Sequence, residues 1–433
     1  MIDVMRTLEP SSGLTRGYHL APPQGAESPL WNTIVVLRPV VGLDDEDVPM
    51  SARVVGAAGH ARADALLRGA GEAVERAALH PSNALPAVRG RAAELSAPTL
   101  PWHGPEMALA APQAAEAVLD WLPARRLSDD SPVLVPTGLI DFPYTDTDTA
   151  AWFDAGPSCA ASGSSPSMAL RSALLEMVER DAMLVAWECG LRLPSWTDLS
   201  AATLPPCEAA ERMAKKALSA LWGKARDEGI EPCLARIPTA VPGLWCVVGS
   251  LIDPAERPGA LASVGLKVSD RPWAALLGAF QEAWQVRACL KAEQERSSGD
   301  APPAPHGIAS EPDRIRYMVS PAGVSSLREW VAAFVPAGPQ PDPVRVPDET
   351  VLAAVLADGA DPVAVDLTAR LPEPLRAMGW QAVKVVPAGY QHLRMDERHQ
   401  WSRNAFRLAT AEARTGCEAM YPEGSPHRPH PLP

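Results

Sequence analysis

The sequence predicts a mixed α/β (α+β) fold. Three observations predict it. Short β-branched runs bounded by Gly, Pro or Asp read as strands at 32–40, 233–238, 244–252, 260–266, 362–367 and 382–387. Longer runs with apolar residues three and four apart read as helices near 64–79, 166–188, 206–227, 271–292 and 327–335. The two kinds mix without strict alternation, as in α/β and α+β architectures.

In chain order, residues 1–50 are rich in Pro and Gly and read as an N-terminal extension, and 51–433 as the main domain with internal subdomains. The stretch 96–112 reads as a loop, and 293–313, with Ser, Gly and Pro in quick succession, as a mobile surface loop. The helix at 166–188 has a clear start. Ser164 or Ser165 can cap it, Pro166 suits its first turn, and Leu170, Ala173, Leu174, Met177 and Val178 form an apolar stripe. The helix at 271–292 starts similarly, with Ser269 or Asp270 before Pro272, and carries the polar cluster Glu282, Gln285 and Arg287. Residues 425–433 form an extended tail, because X-Pro repeats exclude helix.

At 433 residues and 47% hydrophobic content, the chain is long enough for two or three domain-sized units, or one large domain with subdomains, around a substantial core. It contains no run of about 18 apolar residues, so no membrane helix is expected. "MIDVMRTLEP" has no apolar signal segment, and a cytoplasmic location is expected. The net charge of -13 argues against nucleic acid as the main ligand. It leaves room for ATP, which needs only a local basic site or a metal. The seven cysteines form no C-x-x-C pair, and buried, reduced thiols are expected rather than zinc or disulfides.

The chemistry lies in a repeat. "GAGEAVERAAL" and "LLEMVERDAM" each place a Glu-x-x-Glu-Arg stretch on a helix, as Glu72, Glu75, Arg76 and Glu176, Glu179, Arg180. Glu72 and Glu176 are 104 residues apart, and Glu176 and Glu282 are 106 apart. A small-residue loop is expected before each helix, at 56–64, 158–167 and 263–270, with the third copy the weakest. Residues three apart share a helix face, so each pair presents two carboxylates in one direction. Two such helices face to face would gather four mutually repelling carboxylates, which magnesium would neutralise. Arg76 and Arg180 suit phosphate oxygens. A single copy of this pattern is better explained as a solvated helix face with i,i+4 pairing, and it is the second copy in matched register that favours the site.

In these segments, in "VAVDLTARLPEPLRAMGWQAVKVVPAGYQHL" (363–393), and in its Pro429-His430-Pro431-Leu432-Pro433 end, the chain resembles the YcaO family of ATP-dependent peptide-modifying enzymes. The P-x-P-x-P end resembles its azoline-forming cyclodehydratase branch. The resemblance covers roughly residues 50–433. It implies a YcaO-type fold of pseudo-repeated strand–helix subdomains, with ATP between the Glu-bearing helices and Mg²⁺ on Glu72, Glu75, Glu176 and Glu179. It further implies nucleotide contacts from Arg180, Ser158 and Ser162, with Arg76 a further candidate from the repeat itself. Three positions depart from the family pattern. Ala58 stands where a lysine is usual, Arg68 replaces a serine and Met168 a glutamate. Lys267 and Arg68 are candidates to restore the missing positive charge.

The implied reaction begins when a Cys, Ser or Thr side chain attacks the preceding amide carbonyl. ATP phosphorylates the resulting oxygen, and phosphate leaves to give a thiazoline or oxazoline. The Pro433 carboxylate and His430 are the candidate bases. The implied partners are a ribosomal precursor peptide, an E1-like or ThiF-like leader-binding protein, a flavin dehydrogenase and a second copy of the chain. The alternatives are a degenerate, non-catalytic scaffold subunit, a YcaO enzyme making thioamides or amidines, and an unrelated protein with Glu-rich surface helices.

Overall fold

The computed structural model describes residues 2–25, 28–44, 48–82, 84–101, 107–296, 302–425 and 428–432. It contains three sheets. β1 (Thr15–Ala21), β2 (Trp31–Leu37) and β3 (Val54–Gly59) form the first, antiparallel and in that order. Part of the Pro/Gly-rich N-terminal segment is therefore sheet. In the second sheet, β11 (Ala262–Ser269), β10 (Trp245–Ile252), β9 (Glu231–Ile237), β8 (Pro194–Trp196) and β12 (Val335–Pro336) follow one another. In the third, β4 (Val88–Gly90), β5 (Leu119–Arg126), β13 (Val363–Asp366), β14 (Gln381–Val386) and β7 (Ala160–Gly163) do so, with β6 (Pro132–Pro136) also paired to β5.

The helices α1 (Val4–Leu8) and α2 (Met50–Arg53) are short. Next come α3 (Arg62–Ala78), α4 (Pro166–Cys189), α5 (Arg212–Asp227) and α6 (Pro272–Arg296). The capping residue of α4 is Ser165, whose hydroxyl accepts from the Met168 amide at 3.1 Å, and Gly190 ends the helix in left-handed conformation. At the start of α6 the expected Ser269 hydroxyl accepts from the Arg271 amide at 3.0 Å, and the next amides are capped from elsewhere. Glu211, sixty-odd residues upstream, accepts from the amides of Trp273 and Ala274 at 2.9 and 3.1 Å. Asp270 instead pairs with Arg171 and Arg345. A tertiary carboxylate thus replaces the local one at a helix N-terminus.

The small-residue segments expected as loops before the three Glu-bearing helices each contain a strand. β3, β7 and β11 occupy much of 56–64, 158–167 and 263–270. The chain thus builds three strand–helix units, β3–α3, β7–α4 and β11–α6, and each strand is the edge of its own sheet. Small residues serve close packing here. A Cβ on Gly265 would lie 2.2 Å from the Ala283 amide nitrogen, so α6 lies directly on β11. Each helix also packs on the edge strand of another unit, α3 on β7, α4 on β11 and α6 on β3. The three units therefore close on one another in a ring.

The largest apolar cluster joins α4 to β9, β10 and β11 and includes Leu432 of the tail. A second joins α3 to the first and third sheets, and a third joins α5 and α6 to the second sheet. No helix among the described residues is long and apolar enough to cross a membrane. The expected surface loop at 293–313 falls partly outside the described residues. α6 continues to Arg296, and a helix resumes at Glu311.

Candidate nucleotide and metal site

The three units place their polar residues in one register. Glu72, Glu176 and Glu282 each stand ten residues after the first residue of their helix. Three residues further on stand Glu75, Glu179 and Gln285, one turn along the same face. The third copy, weak in sequence, is in register in the fold.

Edge strands explain how these side chains are held. An edge strand leaves amides without a strand partner. On β11 two of them are taken by carboxylates. Leu266 N donates to Glu282 Oε2 at 2.7 Å, and Val268 N donates to the buried Glu179 Oε2 at 2.6 Å. On β3, Gln285 spans the edge, accepting from Ala58 N at 3.2 Å and donating to Gly56 O at 3.0 Å. On β7, the Ser162 hydroxyl donates to Gly71 O of α3 at 2.9 Å. Among the described residues, Glu75 has no such tie: it makes no hydrogen bond and no ion pair.

The carboxylates form one chain of mutual influence. Burial, then the neighbouring charges of Glu72 and Glu176, push the Glu75 carboxyl well above its ordinary pKa. Burial also raises Glu282 to about 7, against the pull of Arg180 and with the push of Glu179. Burial disfavours the charge on Arg180, yet Glu176, Glu179 and Glu282 together hold it charged. The first and second glutamate pairs, far apart in sequence, thus influence each other through Glu75 and Glu176, on two helices that both pack on β7. Among the described residues, no three His, Cys, Asp or Glu side chains stand together as a ready metal cage. Part of the reason is the i,i+4 pairing on each helix. Arg76 holds Glu72 at 2.8 Å, and Arg180 holds Glu176 at 3.3 Å. The solvated-face reading is therefore partly right about the arginines. It does not account for Glu75, whose charge no described residue offsets by direct contact. A cation with oxygen preference fits that position.

The other sequence-predicted residues are distributed as follows. Arg76 is buried, also donates to Ser51 O, and lies over the Phe142 ring. Ser158 lines a cleft with Cys159, Gly156, Asp154, Lys384 and His392. Lys267 is exposed on β11, with its side chain against Gly278, and its charge lowers the pKa of Glu282. Arg68 is engaged by Asp64 and Gln281 at 2.9 and 3.2 Å. Ala58 is buried, and Met168 is 52% exposed.

His430 is buried, with Nε2 2.5 Å from Arg394 O, and burial plus the nearby Arg314 drives its pKa well below the ordinary value. It sits in a buried network of Glu188, Arg394, Glu397 and Arg314. Burial opposes ionisation of Glu397, but Arg394 and Arg314 overrule it and hold its pKa at about 2. Pro433 lies outside the described residues.

Sequence reasoning missed Lys384. Its signal was a lone lysine in the strand "AVKVVP", on the face that buries Ala382 and Val386. Its ammonium donates to Gly156 O at 2.5 Å. Burial lowers its pKa to about 8, against the pull of the Cys159 thiol, Glu176 and Glu75.

A family model described as YcaO cyclodehydratase, ATP- and Mg²⁺-binding, matches residues 56–391. The chain belongs to the YcaO family. ATP and Mg²⁺ are accordingly the ligands of this fold, and the expected family fold is the one observed. Three solved structures show the same architecture. One is a heterocyclase in complex with substrate and cofactor, with 16% identity and a TM-score of 0.65 over 90% of this chain. The chain spans about half of that protein, 51% of its length. Another is YcaO from Methanopyrus kandleri bound with AMPPCP and Mg²⁺, with 18% identity, a TM-score of 0.59, and coverage of 96% of this chain and 93% of that one. The third is the E. coli microcin synthetase McbBCD complex, with 15% identity, a TM-score of 0.57, and coverage of 86% and 87%. No curated protein sequence matches the chain.

Proposed function

We propose that this YcaO chain is an ATP-dependent cyclodehydratase subunit that converts Cys, Ser or Thr of a ribosomal precursor peptide to thiazoline or oxazoline. The observation that carries this reading is that the Glu75 carboxyl, on one of two helices in matched register, feels the charge of Glu176 on the other, while among the described residues it has no hydrogen bond or ion pair. Glu72, Glu75, Glu176 and Glu179 would hold magnesium. Bound there, magnesium would neutralise charge developing on the transferred phosphoryl group. Arg180, held charged among three carboxylates, would face the nucleotide phosphates, with Arg76, Ser158, Ser162 and Lys267 further out.

The chemistry asks little of the protein beyond position and charge. The peptide side chain attacks the preceding carbonyl carbon. The carbonyl oxygen then takes the terminal phosphoryl group of ATP and leaves as phosphate, with ADP as the other product. The peptide loses one water in total. The base is the Pro433 carboxylate or His430. The burial of His430 makes the terminal carboxylate the better of the two. The partners are the precursor peptide, an E1-like or ThiF-like protein that binds its leader, and a flavin dehydrogenase. A second copy of this chain completes a homodimer in a cytoplasmic complex. Similarity to the structure of the McbBCD complex with pro-MccB17 bound supports a multi-protein, peptide-directed setting.

A second reading, a non-catalytic scaffold, is favoured by one observation. Ala58 stands buried where the family lysine is usual, and Arg68 is tied to Asp64 and Gln281. Co-expression of the chain with the precursor and partner proteins encoded beside it, followed by mass spectrometry, separates the two. Loss of one water per modified residue, dependent on Glu179, supports the cyclodehydratase. An unmodified peptide with intact complex assembly supports the scaffold.

A further inference from the structure

Lys384 carries an inference that rests on the ATP reading above. It lies on β14, inside the third sheet, where it faces Ala160 of β7 and Val365 of β13. It is 5% exposed. Lysine is seldom so buried without a partner for its charge. Its ammonium has three N–H donors. One goes to Gly156 O. Among the described residues it forms no ion pair. Yet Glu75, Glu176 and Asp141 lie close enough to favour its charge. A purely structural lysine would be expected to close on one of these carboxylates.

The position is a junction. On one side is the carboxylate chain of α3 and α4. On the other is the cleft lined by Ser158, Cys159, Asp154 and His392, with apolar walls from Leu109 and Val386. Cys159, next to Ser158, holds a left-handed backbone at φ 63, a conformation a non-glycine residue keeps only where its surroundings impose it. Of the nearby arginines, Arg76 and Arg180 each share their charge with a glutamate of their own helix, Glu72 and Glu176. Arg370 is paired with Asp141 at 2.8 Å.

We propose that Lys384 is a ligand of the terminal phosphate of ATP, supplying from β14 the positive charge that Ala58 does not supply from β3. A lysine ammonium acts on phosphate as a compact point charge and needs no fork geometry. It binds the group that is transferred, at the point where the helix site opens into the cleft.

The test uses the full chain and titration calorimetry with Mg·AMPPCP and Mg·ADP. The wild type is expected to bind the triphosphate analogue more tightly than the diphosphate. Lys384→Met is expected to lose about tenfold or more in AMPPCP affinity, the scale of one charge-assisted contact, while ADP affinity stays within about threefold. Lys384→Arg is expected to recover part of the preference. If the Met side chain prevents folding, Lys384→Gln is read instead, with circular dichroism as the check. An unchanged ratio of AMPPCP to ADP affinity in a folded, uncharged variant overturns the assignment and leaves the ATP reading standing. Failure of the wild type to bind either nucleotide removes the ATP reading and this inference with it.

Discussion

Glu282→Gln tests the electrostatics of the site in the absence of any ligand. The Glu282 carboxyl has its pKa raised from 4.5 to about 7 by burial first, despite Arg180 and the Leu266 amide. Between those two values the folded chain holds a proton that the unfolded chain has lost. Stability therefore falls as pH rises through that window and levels off above it. At about 1.4 kcal/mol per unit, the whole shift would amount to roughly 3 kcal/mol. The side chain is only partly shielded from solvent. Screening therefore reduces the expectation to about 1–2 kcal/mol. Glutamine removes the titration but keeps an oxygen for the Leu266 amide. Urea denaturation at several values between about pH 5 and pH 8 measures the difference. The variant should match the wild type at the acid end and exceed it by about 1–2 kcal/mol at the alkaline end. A difference that stays constant with pH, or that reverses, would refute the claim that the cluster carries uncompensated negative charge.

Four further outcomes follow from the same geometry. Glu75→Gln should raise the thermal stability of the ligand-free chain, since burial and two neighbouring carboxylates oppose its charge. The same change should remove the extra stabilisation given by Mg·ATP, and thermal melts with and without it read both effects. Glu179→Gln keeps an acceptor for the Val268 amide. It should fold normally and abolish ATP turnover in the presence of precursor and partner, read by phosphate release. Gly265→Ala would drive a methyl into the α6 backbone and should cost about 2 kcal/mol or more by chemical denaturation. Leu432→Ala should cost about 2–4 kcal/mol, because Leu432 is 2% exposed inside the largest core cluster. A stability within experimental error of wild type would return the tail to the status of a loose end.

The sequence was most informative where periodicity was strong. The strands expected at 244–252 and 382–387, and the helices at 64–79, 166–188 and 271–292, differ from the observed elements by a few residues at their ends. The two glutamate pairs were legible because i,i+3 spacing is a local signal. The helix start at Trp273 was less legible, because the carboxylate that caps it comes from Glu211, and no local pattern encodes that contact. Edge-strand ties were hidden for the same reason. Glu179 and Gln285 look alike in sequence as helix-face residues. In the fold each satisfies an edge of another unit, and only Glu75 in the equivalent place is left without a partner.

The tail shows how composition can mislead about burial. Alternating prolines exclude helix, and a helix-free terminus reads as an appendage whose loss removes no core. The described part, Arg428–Leu432, instead lies against α4. Arg428 stacks over the Trp187 ring and donates to Trp187 O at 3.1 Å, and His430 enters the Arg314–Glu397 network. Prolines leave the backbone with few donors to satisfy, so an extended segment can be buried at low cost. The His430 amide and carbonyl are met by Glu397 and Arg314 of an ionic network beneath it, and Arg428 donates to the Trp187 and Ser326 carbonyls. Truncation would therefore damage folding as well as any catalytic role of the terminus. Only a change confined to the end itself, such as residues appended after Pro433, separates the two. If appended chains keep the wild-type melting temperature yet lose cyclisation, the terminal carboxylate belongs to the chemistry. If they keep both, the tail serves the fold alone.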